Sequence, residues 1–296
     1  MRPVVRRAAL RRAVAIGLVL LAFALLWEVA KWLGGDPWRV HRDLLGVRLD
    51  FEHDPPFRWR IASDLALPHL WSIVGSFGEI SASTGQPLAL VLVDSALYTI
   101  RTATLGFAAG VALGLGLGIA FVHSRILERA FVPWVVASQT VPIIAIAPVV
   151  VVAFGASWQS VAIIATYLTF FPVTIAMIRG LRAFDPRAGE LMRSYGASDR
   201  QVLWKLRLPA SVPYLFTALR IAAAASIVGT IIGELPSGIP DGLGSKILNF
   251  NQYHTTSPER LWAVIIATIV TGLIVVGVVR LAERLLTSSR YRPLEG

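Results

Sequence analysis

The stretch from Glu190 to Pro209, Glu-Leu-Met-Arg-Ser-Tyr-Gly-Ala-Ser-Asp-Arg-Gln-Val-Leu-Trp-Lys-Leu-Arg-Leu-Pro, is a polar island between two apolar runs. Its spacing predicts two short helices broken at Gly196. Asp185 followed by Pro186 supplies an N-cap and then a proline at the first helical position, where no backbone amide is needed. Leu191, Met192 and Tyr195 fall on one helical face, and Gly196 can take the left-handed conformation that closes a helix. Ser198 with Gln201 three residues on reads as a capping box, and Val202, Leu203 and Leu206 rebuild an apolar face before Pro209. Arg187, Arg193, Arg200, Lys205 and Arg207 surround these faces. Such a basic amphipathic unit is expected to lie across a membrane surface rather than through the bilayer.

Outward from the island, the chain is apolar. Of its 296 residues 55% are hydrophobic and 16% charged, and several runs reach the roughly 20 residues needed to cross a bilayer. Six spans are expected, near 13–34, 95–122, 130–153, 159–178, 211–232 and 261–281. Spans must satisfy their backbone amides internally, so the expected fold is an all-α polytopic membrane protein. The basic start, Met1 to Arg12, followed by an apolar run resembles the opening of a signal peptide. The run is too long for one, and no small-x-small cleavage site is convincing near Gly34-Gly35, so it reads as an uncleaved first span.

The net charge of +10 does not point to nucleic acid. Segments 1–12, 123–129, 179–209 and 280–296 hold 18 of the 28 Lys and Arg residues against six acids. That asymmetry places both termini and the basic island in the cytoplasm. No aromatic-interleaved basic patch exists outside these flanks, so a nucleic-acid partner is not expected. The absence of cysteine removes disulfides, iron–sulfur clusters and thiolate zinc sites.

The island's order of Glu190, two residues, three more, Gly196, nine residues, and then Leu206, Leu208 and Pro209 resembles the "EAA" cytoplasmic loop of binding-protein-dependent ABC importer permeases. Leu191 and Met192 stand where that loop carries two alanines, which makes the face bulkier. From about Leu67 to Gly244 the order of landmarks is similar to the nitrate, sulfonate and taurine branch, which also includes permeases for thiamine-pyrimidine precursors and riboflavin. The landmarks are Ser138-Gln139-Thr140-Val141-Pro142, Ala147-Pro148, Phe154-Gly155, Phe171-Pro172, Leu208-Pro209, Ala218-Leu219-Arg220, Gly233-Glu234 and Gly242-Leu243-Gly244. The resemblance implies a type I ABC importer (MetI-like) permease fold in the cell inner membrane. It also implies that the loop forms a coupling helix seated in a cleft of an ATPase subunit, with Glu190, Leu191, Met192, Gly196, Ala197, Leu206 and Pro209 carrying the contact. The implied partners are an ABC ATPase dimer that binds ATP and Mg, a second permease subunit, identical or related, and an external solute-binding protein. No cofactor is expected in this chain.

On this reading the chain divides into a basic N-terminus with the first span (1–34), an external loop with an amphipathic segment (35–90), a permease core with the coupling loop 182–209 (91–285) and a tail (286–296). Within the core, Gly106, Gly110, Gly114 and Gly118 repeat at four-residue spacing, a smooth stripe for close helix packing or for a sliding helix. Pro142 and Pro148 interrupt the third span beside Ser138, Gln139 and Thr140, and a broken helix at membrane depth needs protein or a water-filled cavity to receive its freed carbonyls. These five residues are candidates for lining a solute path, with helix–helix hydrogen bonding as the competing reading. Arg220 in the fifth span is expected near a cytoplasmic gate, as a structural pair more than a solute contact. Gly233 to Gly244 is too rich in glycine and proline to continue a helix. Glu234 there reads either as a gate contact or as part of an ordinary capped loop. Glu28, near an end of the first span, is expected to snorkel without function. In 35–66, His41 and His53 match no established ligand spacing, and a solvated loop that contacts the binding protein is expected.

Nothing in the chain can use a nucleotide, since it has neither a Gly-x-x-x-x-Gly-Lys-Ser/Thr loop nor a nucleophile, base and orienter cluster. It is therefore read as a transport subunit and not an enzyme. The rival readings are an ion-coupled secondary transporter or channel acting without an ATPase, and a non-transporting scaffold. An ion-coupled carrier needs an intramembrane relay, commonly acidic, and the spans hold almost no acids.

Overall fold

The computed structural model describes residues 2–44, 47–81 and 84–287; the tail beyond 287, expected in the cytoplasm, lies outside the described residues. The chain forms two compact units, one of residues 1–89 with 249–263 and the other of residues 90–248 with 264–296.

In the first unit, helix α1 spans Arg2–Gly34, and Val14–Gly34 is long and apolar enough to cross a membrane. Its last turns are fastened by polar groups. Trp27 Nε1 donates to the Pro68 carbonyl at 2.9 Å, and the buried Lys31 ammonium donates to the Ala62 carbonyl at 3.1 Å and pairs with Asp64. Glu28 was expected to snorkel; instead one carboxylate oxygen accepts from the Leu70 amide at 2.8 Å and the other contacts His69 Nδ1 at 2.9 Å. It thereby satisfies an amide at the start of helix α2, Leu70–Ser76, where orphan donors need a partner.

Residues 35–66 depart from the expected solvated loop. They contain an antiparallel hairpin, β1 (Trp38–Leu44) and β2 (Val47–His53), in register from Trp38 opposite His53 to Leu44 opposite Val47. The signal is present in the sequence: Val47, Leu49 and Phe51 alternate with Arg48, Asp50 and Glu52, the period of a half-buried strand. The register also sets position 39 opposite 52 and position 43 opposite 48. Of the two histidines weighed as metal ligands, His41 has a side chain outside the described residues, and His53 stacks on Trp32 at 4.9 Å.

In the second unit the long helices are α3 (Leu88–His123), α6 (Trp158–Gly180) and α9 (Leu208–Ser237). Between the first two lie α4 (Arg125–Ser138) and α5 (Ile143–Phe154), and between the last two α7 (Pro186–Ser194) and α8 (Asp199–Val202). Helices α10 (Leu243–Gln252) and α11 (Pro258–Thr287) are the last of the described elements. The expected third span is two helices bent by 99° at Gln139–Pro142, so among the described residues five helices are long and apolar enough to cross a membrane, or six if the bent pair counts as one. Pro142 starts α5 rather than interrupting it, because a proline is harmless where no backbone amide is needed.

The core of this unit joins α3, α6 and α9. Val173, Met177, Leu181 and Ala222 are buried, with Phe107, Val111, Leu115, Ile119, Leu203, Leu208 and Leu215 packed around them. Close approach is made by absent side chains. A Cβ at Gly106, Gly110, Gly114 or Gly118 would lie 2.4 to 2.7 Å from atoms of Ala165, Thr169, Phe170, Val173 or Met177 on α6. Apolar lipid provides no hydrophobic drive for helix association, so contact of this closeness is what holds such helices together. Thr169 and Thr174 return their hydroxyls to the carbonyls four residues back at 2.8 Å, which removes the cost of burying them.

Candidate functional site

Two features of the second unit, at opposite ends of α9, carry the chemistry that the sequence pointed to.

At the start of α9 is a surface elbow. Asp185 accepts from the Arg187 amide at 2.9 Å and caps α7. The helix ends at Gly196, whose φ of +71° is left-handed. The Ala197 amide donates to the Met192 carbonyl at 3.0 Å and the Gly196 amide to the Arg193 carbonyl at 2.9 Å. That paired arrangement is the Schellman closure, which needs a residue without a Cβ penalty at the turn. Two residues on, the Ser198 amide donates to Gln201 Oε1 at 2.8 Å while the Gln201 amide donates to Ser198 Oγ at 3.4 Å, a reciprocal capping box.

The second half of the elbow does not stop at Pro209. It passes through a wide helical turn at Leu203–Arg207, where the Leu208 amide reaches back to the Leu203 carbonyl, and runs unbroken into α9. A wide turn of this kind accommodates Pro209, whose ring would collide with the Lys205 carbonyl in a regular helix. Asp199 to Ser237 is therefore one continuous 39-residue rod. Val202 is buried, and Leu203 and Leu208 rest on the core. The outer face of the elbow stays bare: Leu191 is 58% exposed, Tyr195 83% and Trp204 63%. Glu190 and Gly196 are exposed, Met192, Ala197 and Leu206 half-buried. Leu191, Glu190 and Gly196 thus share one open surface, whereas Leu206 and Pro209 belong to the rod.

At the far end of α9, Glu234 is fully buried. The Thr99 hydroxyl donates to its carboxyl at 2.9 Å, and the Gly244 amide donates to it at 2.8 Å. Thr99 Oγ1 also accepts from the Leu243 amide at 3.0 Å. The Glu234 carbonyl receives the hydroxyls of Ser237 at 2.8 Å and Ser245 at 3.2 Å. A buried carboxyl is tolerable when its lone pairs are occupied in this way. The neighbouring glycines are required by contact: a Cβ on Gly242 would sit 2.2 Å from Glu234 Cδ, and one on Gly244 2.5 Å from the Ile231 carbonyl oxygen. Helix α9 runs through Gly233 to Ser237, five residues beyond the expected span, and turns at Gly238 with φ +68°. It continues because Gly233 lies against Val161 and Ile164 of α6, where a Cβ would come within 3.1 to 3.3 Å of them.

Other sequence-predicted residues are dispersed. Ser138 and Thr140 donate to the Val135 and Ala137 carbonyls at 2.8 and 2.7 Å, and the Gln139 side chain donates to Ser138 Oγ at 3.5 Å. The Tyr167 hydroxyl bonds to the Ser138 carbonyl, holding the α4–α5 bend against α6. Pro148 lies inside α5. Arg220 pairs with Glu283 of α11 at 3.4 Å and donates to Thr217 Oγ1 at 3.3 Å. Sequence reasoning missed Thr99 and Glu283, because each is chosen by a helix far away in the chain. It also missed the small-residue face of α9, where Ala218, Ala222, Ser226, Gly229 and Gly233 are buried; their spacing of three and four residues was the available signal.

A family model for the inner membrane component of binding-protein-dependent transport systems matches residues 110–288. The chain is 38% identical over 184 residues to the formylaminopyrimidine transport permease protein ThiX of Halalkalibacterium halodurans, covering 56% of this chain and 73% of that protein. It is 30% identical over 233 residues to the SsuC protein of Bacillus subtilis, named for aliphatic sulfonates transport, covering 75% and 83%. The riboflavin transport system permease protein RibX of Chloroflexus aurantiacus is 31% identical over 157 residues, covering 53% of this chain and 58% of that one. Among solved structures, the MetNI methionine ABC transporter in an inward-facing conformation superposes with a TM-score of 0.59 at 18% identity, covering 70% of this chain and 99% of that one, a likeness of fold.

Proposed function

Because this chain belongs to the binding-protein-dependent transport system inner membrane component family and is an ABC importer permease subunit, we propose that its elbow, residues 182–209, seats on a separate ATPase subunit and passes that subunit's motion into α9. The observation that carries this reading is the elbow's construction. A bare face with Glu190, Leu191 and Tyr195 is locked by Gly196 to a rod that continues without a break to the buried Glu234. A rod of 39 residues, roughly 58 Å long at helical rise, gives displacement of the elbow a continuous path to Glu234.

ATP and Mg bind the partner ATPase dimer, and this chain contributes path and lever. The excess of Lys and Arg in 179–209 and near both termini supports a cytoplasmic elbow with cytoplasmic ends. A second permease subunit completes the path, identical or related. Its docking surface includes the free side of α5, where Ile144 is 65% exposed and Val152 87%. An external binding protein delivers the solute, and residues 35–66 are its contact. Ser138, Gln139, Thr140, Pro142 and Pro148 at the α4–α5 bend border the path. Arg220, midway along α9, and Glu234, near its far end, stand beside it. The solute is a small molecule of the nitrate, sulfonate and taurine class or a vitamin precursor; the 38% identity to the formylaminopyrimidine permease supports the precursor side.

The test is reconstitution of the permease with its ATPase and binding protein. Replacing Gly196 with Val and Glu190 with Ala should leave membrane insertion intact and abolish transport per ATP hydrolysed. Normal coupling in both variants, or solute uptake driven by an ion gradient without any ATPase, defeats the reading.

A further inference from the structure

At the base of the elbow, the end of α3, helix α4, the loop that follows α6 and the wide turn line an open cavity of about 800 Å³ that presents Arg125, Glu128, Arg129, Arg182, Phe184 and Arg207. Four guanidinium groups face one carboxylate there. Glu128 is committed to one of them, with Arg182 Nη2 donating to its Oε2 at 2.6 Å. Arg207 is held in place by its planar face, 5.4 Å from the Phe184 ring centre. Its Nε is buried and has no hydrogen-bond partner among the described residues. A buried guanidinium N–H without an acceptor is costly, and arginines placed to present several N–H groups together match the oxygens of a phosphate. The rest of the lining is apolar, with Val132 and Pro133 following Arg129 along α4 and Val122 at the end of α3.

We propose that this cavity is a phosphate-binding site, filled by the headgroup of an anionic phospholipid whose glycerol and upper chain lie along the apolar wall. The assignment rests on the cytoplasmic placement of the elbow, because anionic lipid and a basic pocket at the membrane surface attract each other there. Arg125 and Arg129 come from α4, and although Arg182, Phe184 and Arg207 belong to the elbow, none of them is among the bare Glu190, Leu191, Tyr195 and Trp204, so the pocket adjoins that bare face without using it. A lipid held there buttresses the wide turn at Arg207 from below.

The experiment uses the assembled complex, purified with its ATPase from vesicles of phosphatidylcholine doped with phosphatidylglycerol. Lipid retained after detergent washing is counted by native mass spectrometry, and inorganic phosphate is titrated separately by ³¹P NMR. The unchanged complex should retain phosphatidylglycerol over phosphatidylcholine, and Arg125→Gln with Arg129→Gln should lower that retention about tenfold. Glu128→Gln frees Arg182 and should raise it severalfold, a gain that misfolding cannot imitate. Arg187→Gln with Arg193→Gln, on the elbow surface, should leave retention unchanged. Inorganic phosphate binding that follows the same variants, without retained lipid, supports the phosphate site and assigns its source to the free anion. Retention and phosphate binding that ignore all the pocket variants overturn the proposal and leave the cavity to a carboxylate of a partner protein. Each readout is binding to an assembled complex, so the outcome is independent of whether Gly196 and Glu190 couple hydrolysis to transport.

Discussion

At the elbow, the breaks in the helix are satisfied by neighbours in sequence: Asp185 by Arg187, Gly196 by Arg193, Ser198 by Gln201. At the other end of α9, the Glu234 knot joins Thr99, 135 residues away, to Gly244, ten residues on, and Leu243 binds Thr99 across 144. The first region is exposed and self-sufficient; the second is sealed and depends on three helices arriving together. A self-capped surface element keeps its shape while partners press on it. A knot of distant groups can open only if the helices themselves separate. The two ends of one rod thus differ in construction, one exposed and capped locally, the other sealed by groups distant in the chain.

The sharpest way to break this contrast is at the knot. Glu234→Leu leaves the Thr99 hydroxyl and the Gly244 amide buried without an acceptor and should cost about 3–4 kcal/mol, read as loss of folded protein in thermal melts in detergent. Glu234→Gln keeps an acceptor and should recover a large part of that. If both variants melt with the parent, the knot is not a restraint. The α3–α6 seam comes next: Gly114→Leu must displace the Phe170 carbonyl and Val173, 2.7 Å from the new Cβ, and overpacking of this kind costs about 2–3 kcal/mol. A melt within a degree of the parent would show that the helices are free to slide.

The elbow should respond more weakly in stability than in coupling. Nothing lies within 4 Å of a Cβ at Gly196, so Gly196→Val should cost only the left-handed strain, about 1–2 kcal/mol, while transport per ATP falls. Gly196→Asn, which tolerates that conformation, should behave like the parent. Equal loss of coupling in both variants would mean that contact, rather than backbone shape, is what matters there. Ser198→Ala is the smallest change, about 1 kcal/mol from a lost cap, detectable as faster amide exchange at Gln201 and its neighbours. Unchanged exchange would remove the capping box from the account.

The contrast also explains what could be read early. Gly196, the Ser198–Gln201 box and the Asp185-Pro186 start are local devices whose partners lie within one turn, so spacing alone identified them. The spans were legible because lipid demands long apolar helices, and the four glycines of α3 because a strict repeat marks a face. The hairpin at 38–53 was passed over although Val47, Leu49 and Phe51 alternate, since the charges between them read as loop. The bend of 99° at Gln139–Pro142 was placed correctly in sequence but not in shape, because a proline can sit inside a helix or begin one.

The chain's composition and spacing by themselves determined that it is a multi-spanning helical membrane protein with a basic, self-capped elbow between two spans. The reason is that solvation and capping act on neighbouring residues. Which helices meet was decided only by the tertiary structure: that Glu234 closes on Thr99 and Gly244, that Arg220 finds Glu283, that four arginines from distant segments share one cavity. Those choices depend on the packing of small residues along α3, α6 and α9, a steric match between surfaces that no stretch of either helix contains alone.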